Sequence, residues 1–110
     1  MLLEHRDSGR RVWVGNFHNP ANIGGDHAGW RQRALELEAD LAQRLSADGT
    51  PVIITGDMND REAFACPFAA RSGMVSAEGA YDDDGQCMVP GQLNVDWIWG
   101  TTDMQFGDFL

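Results

Sequence analysis

The stretch Pro51–Asp60, "PVIITGDMND", decides how this chain is read. Val52 to Thr55 run without alternation into a glycine, and an aspartate and an asparagine follow with one residue between them. An unalternating apolar, β-branched run marks a strand covered on both faces. The polar pair beyond it is either the turn that closes a buried strand or a reaction centre held at the strand's end. What lies on either side decides between them.

Upstream, Val12–Phe17 alternates, with Val12, Val14 and Asn16 on one face and Trp13 and Phe17 on the other, the period of a strand. It ends in the Gly-, Asn- and Pro-rich loop "HNPANIGGDHAG". Trp30, Ala34, Leu37, Leu41 and Leu45 then recur at helical spacing and predict one apolar stripe. Arg31, Arg33, Glu36, Glu38, Asp40 and Arg44 fall mostly outside that stripe and are expected to face water. Gly49 is the expected C-terminal cap, and Pro51 prevents the helix from resuming.

Downstream, a shorter helix is predicted from Asp60 through "REAFACPFAA", limited by Pro67. Arg71 to Gln92 reads as loop, with "YDDDGQ" an exposed acidic turn. "LNVDWIWG" restores a strand, with Leu93, Val95, Trp97 and Trp99 on one face and Asn94, Asp96 and Ile98 on the other. "MQFGDFL" is a last candidate strand. The order predicts an α+β domain in which residues 1–110 form a single unit.

At 110 residues and 12.1 kDa the chain has room for one modest core. A formal charge of −9 argues against a passive basic groove for nucleic acid. It still permits an enzyme that meets phosphate through a divalent cation, which reverses the local sign. No apolar run is long enough to cross a membrane, and "MLLEHRDSGRR" shows no signal-peptide pattern. Cys66 and Cys87 are an even pair whose redox state two residues cannot fix. Joined, they would close a loop worth roughly 3 kcal/mol and favour a secreted or cell-envelope location. Free, they would carry no such argument.

Three strands carry polar groups near their ends: Asn16 and His18, then Asp57 and Asn59, then Asp96. Carboxylate, carboxamide and imidazole together suit hard cations and phosphate oxygens, with His able to move a proton near neutral pH. Each also has a plain structural reading. Asn59 with Glu62 makes a helix-capping box, Asp57 can satisfy turn amides, and His18 before "NP" can be a turn residue. Asp96, between Val95 and Trp97, is costly to bury unpaired and should have a partner.

"VWVGNFHNPAN", an amphipathic helix, "PVIITGDMND" and "VDWIWG", in that order, resemble the endonuclease/exonuclease/phosphatase superfamily of DNase I-like, metal-dependent phosphoesterases. The resemblance runs from Val12 to the end and implies part of a four-layer α/β sandwich, two packed sheets flanked by helices. It implies that Asp57 orients or deprotonates the attacking water and that Asn59 holds a phosphate oxygen. His18 would assist proton transfer at the phosphate, Asp96 would orient a histidine, and Asn16 and Asn19 would lie on the substrate side. Mg²⁺ or Mn²⁺ is the implied cofactor, with Ca²⁺ as an alternative ion, and Asp57 and Asn59 are the implied metal ligands. The substrate would be a phosphate ester: nucleic acid, nucleotide, or lipid or inositol phosphate.

The family's early asparagine, its metal-binding glutamate and its final Asp-His segment have no counterpart here, and Glu4 lies too near the Val12 strand to replace the glutamate. The expectation is therefore a truncated domain, inactive as it stands. A calcium-binding or interaction module using "DMND" and "DDDG" is the alternative, though "DDDG" lacks the closing glutamate of a calcium loop. A nucleotide-binding α/β unit ranks last, because no Gly-rich phosphate fingerprint is present.

Overall fold

A computed structural model of the chain describes residues 1–21, 25, 27–77, 86–87 and 95–107. Five strands, β1 (Leu2–Glu4), β2 (Arg11–His18), β3 (Val52–Asp57), β4 (Val75–Ser76) and β5 (Asp96–Gly100), form one sheet in the order β1-β2-β3-β5-β4. Helices α1 (His27–Leu45) and α2 (Glu62–Ser72) complete the described elements. β2 and β3 are parallel, with Trp13 opposite Val52 and His18 opposite Asp57. Parallel neighbours need a crossover, and α1 supplies it. β5 runs antiparallel to β3, β4 antiparallel to β5, and β1 antiparallel to the start of β2.

The core lies between the sheet and the two helices. Val52, Ile54, Trp97 and Trp99 are buried on that side, against Leu35, Ala39 and Ala42 of α1 and Phe64, Ala65, Phe68 and Ala69 of α2. Phe64 stacks on Phe68 at 4.8 Å between ring centroids, and the edge of Trp99 meets Phe68 at 5.0 Å. Contacts of this geometry add to what area burial alone supplies. Cys66 of α2 is bonded to Cys87, 21 residues on, with Cα atoms 5.7 Å apart.

The face assignments for β2 and for the described part of β5 agree with the structure, and several other expectations do not. Ile53 and Thr55 are only half-buried, so β3 is covered on one face rather than two. The α1 stripe is rotated by about one residue. Trp30 and Leu37 are 52% and 53% exposed, while Leu35, Glu38, Ala39 and Ala42 are buried. Small alanines let α1 sit close to the core, and large side chains end on the wet side. α1 ends at Leu45, so Gly49 (φ +87°) closes the following turn, its N–H donating to the Ser46 carbonyl, and is not the helix cap.

Pro67 does not stop α2, which continues to Ser72 and is closed by Gly73 in the left-handed conformation. The packing of Phe64 and Phe68 on either side outweighs the one backbone donor that Pro67 lacks. Arg71 and Ser72 are thus helical and Val75–Ser76 is a strand, inside the segment read as loop. Residues 104–107 are not a strand. Tyr81 to Gly85 of the acidic turn, Leu93, Asn94 and residues 108–110 lie outside the described residues.

Candidate active site

Parallel registration brings the ends of β2 and β3 side by side, and β5 adds its first residue to the same row. His18 is opposite Asp57, and Asp57 is opposite Asp96. His18 Nε2 lies 3.7 Å from Asp57 Oδ2, and their side chains are 76% and 36% exposed. Asp96 is exposed, so it bears none of the burial cost that demanded a partner. Three strands therefore present His18, Asp57 and Asp96 along one edge of the open sheet face.

Gly56 explains why a glycine precedes the pair. Its φ is +140°, and a Cβ there would run into the carbonyl oxygen of Phe17 on the neighbouring strand. Only glycine allows that approach. Past Asp57 the chain turns sharply. The Asn59 N–H donates to Asp57 Oδ1 at 2.9 Å, and Asn59 takes φ +53°, uncommon for a side-chain-bearing residue but most accessible to Asn and Asp. Asn59 Nδ2 donates to the Asn19 carbonyl at 2.6 Å, and the Asn19 N–H donates to the Asp57 carbonyl at 2.9 Å. Asn59 is therefore no helix cap: α2 begins at Glu62 with Arg61 at the capping position and no side-chain cap bond. The turn reading of Asp57 holds, but it uses one carboxylate oxygen and leaves the other beside His18.

The two loops that flank the row are tied from below. Met58 is fully buried, and its N–H donates to the Val95 carbonyl. The Trp97 indole N–H donates to the Asp60 carbonyl at 3.0 Å. Arg31 of α1 donates through Nε to Asp60 Oδ2 and through Nη1 to the Pro20 carbonyl, each at 3.2 Å. Asn16 is exposed on the open face, its Oδ1 accepting from Thr55 Oγ1 at 3.0 Å. Asn19 is only 4% exposed, and its amide faces Glu38 Oε2 at 3.4 Å and Met58 Sδ at 3.6 Å. It is placed to support the row rather than to reach a substrate.

Glu38, Arg31 and Asp60 are the supports that sequence reading passed over. Burial pushes the Glu38 carboxyl up to about 7, an effect that the hydrogen bond from Asn19 partly offsets. A signal existed for Glu38: it stands three and four residues from Leu35 and Ala42, on their face. Among the described residues no three His, Cys, Asp or Glu side chains converge as a metal site. Asp57 and Asp96 bring two carboxylates to the row, short of the oxygen set a hard cation takes.

No protein-family model matches the sequence, and no curated protein sequence matches it. Solved structures do match. An endonuclease/exonuclease/phosphatase family protein of Bacteroides thetaiotaomicron has a TM-score of 0.66 at 17% identity, over 92% of this chain and 40% of its own. The human Nocturnin catalytic domain, solved with a bound sulfate anion, has a TM-score of 0.58 at 26% identity, over 92% of this chain and 39% of its own. A mannosyl-6-phosphatase of Bacteroides thetaiotaomicron has a TM-score of 0.65 at 17% identity, over 90% and 40%. The chain thus has the fold of endonuclease/exonuclease/phosphatase structures, over nearly all of its own length and about two-fifths of theirs.

Proposed function

We propose that the row His18, Asp57, Asn59 and Asp96 is part of a phosphoesterase site that hydrolyses a phosphate ester with an activated water. The observation that carries this reading is the pairing of His18 and Asp57 across two parallel strand ends, at 3.7 Å, with Asn59 locked beside them. Asp57 keeps one carboxylate oxygen directed at His18 and can accept a proton from water placed over the open face. Asn59 spends one amide hydrogen on Asn19 and retains the other for a phosphate oxygen. His18, the most exposed of the three named in that pairing, can donate to the oxygen that departs. Tetrahedral-anion chemistry is the common thread with Nocturnin, whose structure holds sulfate.

A divalent cation, Mg²⁺ or Mn²⁺ in preference to Ca²⁺, belongs to the proposal. Its carboxylate ligand on this chain would be Asp57, with Asn59 beside it, and the described residues fit such an ion only in part. The steps above accordingly rest on the chain's own residues. The substrate class is kept at phosphate ester, with long nucleic acid least suited to a chain of charge −9. The Cys66–Cys87 bond supports a secreted or cell-envelope location as part of the same proposal. A calcium or interaction module is less well supported, because one oxygen of Asp57 is already spent on the protein and the described residues bring no third carboxylate to the row.

The experiment is hydrolysis of bis-p-nitrophenyl phosphate and p-nitrophenyl phosphate, with Mg²⁺ or Mn²⁺ added, by the protein as its gene encodes it. Asp57→Asn is expected to lower kcat by about 10²–10⁴-fold. Asn59→Asp is expected to be damaging as well, since it sets a negative charge against the phosphate. Asp57→Asn keeps an oxygen for the Asn59 N–H and should leave the melting temperature near the parent's, whereas Asn59→Asp also loses the bond to the Asn19 carbonyl, so its kcat is read per folded molecule. Parent-like kcat in both variants would reduce "GDMND" to a turn.

A further inference from the structure

We propose that Glu38 and Asn19 form a positioning pair that aims Asn59 from beneath the row of strand ends, resting on the reading of Asn59 as a phosphate-contacting residue. Among the described residues these two are the buried polar side chains, at 5% and 4% exposure, and they face each other. Glu38 lies on the face of α1 that otherwise buries Leu35, Ala39 and Ala42. A leucine there would complete an apolar surface without the cost of desolvating a carboxylate. What a leucine cannot do is accept the Asn19 amide.

Asn19 is the junction. Its side chain reaches down to Glu38 on α1 and to Met58, while its main chain reaches up to the site. The Asn19 N–H is held by the Asp57 carbonyl, and the Asn19 carbonyl receives the Asn59 amide in the shortest bond of the group, 2.6 Å. Asn59 holds an uncommon backbone conformation, φ +53°, that neighbouring bonds must over-determine. A displacement of the Asn19 backbone would move the carbonyl that fixes the Asn59 side chain and so redirect its remaining amide hydrogen. Glu38, by anchoring the Asn19 side chain from below, opposes that displacement. It touches no substrate, and its action passes through Asn19.

The test uses the 110-residue chain, its Asn19 and Asn59 side-chain amide signals in nitrogen-proton NMR spectra, and titration with inorganic phosphate in the presence of Mg²⁺. Glu38→Leu is expected to keep or raise the melting temperature while shifting both amide signals and weakening phosphate binding at least roughly tenfold, the usual scale for losing a supporting partner. Glu38→Gln retains an acceptor of the same shape and is expected to restore the Asn59 signal and most of the affinity. A merely structural role predicts that binding follows stability, which is the reverse pattern. An unmoved Asn59 signal in Glu38→Leu, or phosphate affinity equal to the parent's, overturns the proposal. If Glu38→Leu fails to fold, Asn19→Leu is held to the same outcomes for the Asn59 signal and for phosphate affinity, its own side-chain amide being absent. Should the parent bind no phosphate while the Asn59 signal still moves in the variant, the coupling stands and the phosphoesterase reading fails.

Discussion

The two faces of the sheet are built from the same strands and on opposite terms. On one side Val52, Ile54, Trp97 and Trp99 are sealed under two helices. On the other, Val12, Val14, Ile53 and Ile98 are half-buried, Leu3 and Val75 are 44% and 41% exposed, and the polar row stands at the far end. The helix-covered face holds the fold, and the rim of the open face holds the groups with chemistry to offer. What joins the two is a short set of bonds through Asn19, Asp60 and Arg31, so the rim inherits its rigidity from the side it does not touch.

Neighbours on β5 put the largest effect on this contrast. Trp99→Ala should cost about 3–5 kcal/mol, because it empties a buried site packed edge-on against the stacked Phe64 and Phe68. Ile98→Ala, one residue away on the open face, should cost about 1 kcal/mol or less. Urea unfolding of the two variants compares the faces directly. An equally large loss for Ile98→Ala would mean that the open face is packed against something in solution.

A buried carboxylate tests the link between the faces through pH. Glu38 binds its proton more tightly folded, near 7, than unfolded, near 4.5. The native state therefore holds more protons across that window, and unfolding free energy should fall as pH rises through it. The loss should amount to about 3 kcal/mol and be complete above the folded value. Glu38→Gln should flatten that slope and leave the variant more stable than the parent at about pH 8, with little difference at about pH 4. A parent stability that does not change between about pH 5 and 8 would place the Glu38 carboxyl in water.

The smallest effect belongs to the outer surface. Arg71 donates to both carboxylate oxygens of Asp40 at 2.9 and 3.2 Å, holding that carboxyl below its usual range, but both side chains are about half exposed. Arg71→Ala should move the urea midpoint hardly at all, and less still in high salt. A clear drop would show that the Arg71–Asp40 contact helps to dock α2 on α1.

How much of this was legible varied with the kind of signal. Strand faces were readable because a period of two leaves little ambiguity: Trp13 shares a face with Phe17, and Trp97 with Trp99, as expected, though the period does not say which face the helices cover. The glycine of "GDMND" marks only the end of the apolar run in the local string, and its close approach to Phe17 on the neighbouring strand was not legible there. The α1 stripe was misread because periodicity weights large side chains, whereas Ala39 and Ala42 make the close contact and Trp30 and Leu37 turn outward. Glu38 and Arg31 were set aside as solvent-facing charges, since their partners Asn19, Pro20 and Asp60 lie 11 to 29 residues away in sequence. The capping box of Asn59 failed for the same reason: a local rule could not see the distant carbonyl of Asn19.

Trp97 and Trp99 stack with ring centroids 5.4 Å apart and planes 29° from parallel. Indoles so placed couple their electronic transitions, so the chain should carry an exciton couplet in circular dichroism that vanishes when either ring is lost. The indole of Trp97 is bonded to the carbonyl of Asp60, which makes its absorption and emission sensitive to the order of the β3–α2 turn. Trp30, 52% exposed on the outer side of α1, emits as an indole in water and serves as an internal reference. Light of one wavelength can thus follow the turn that carries Asp57 and Asn59 without a label, a ligand or a substrate.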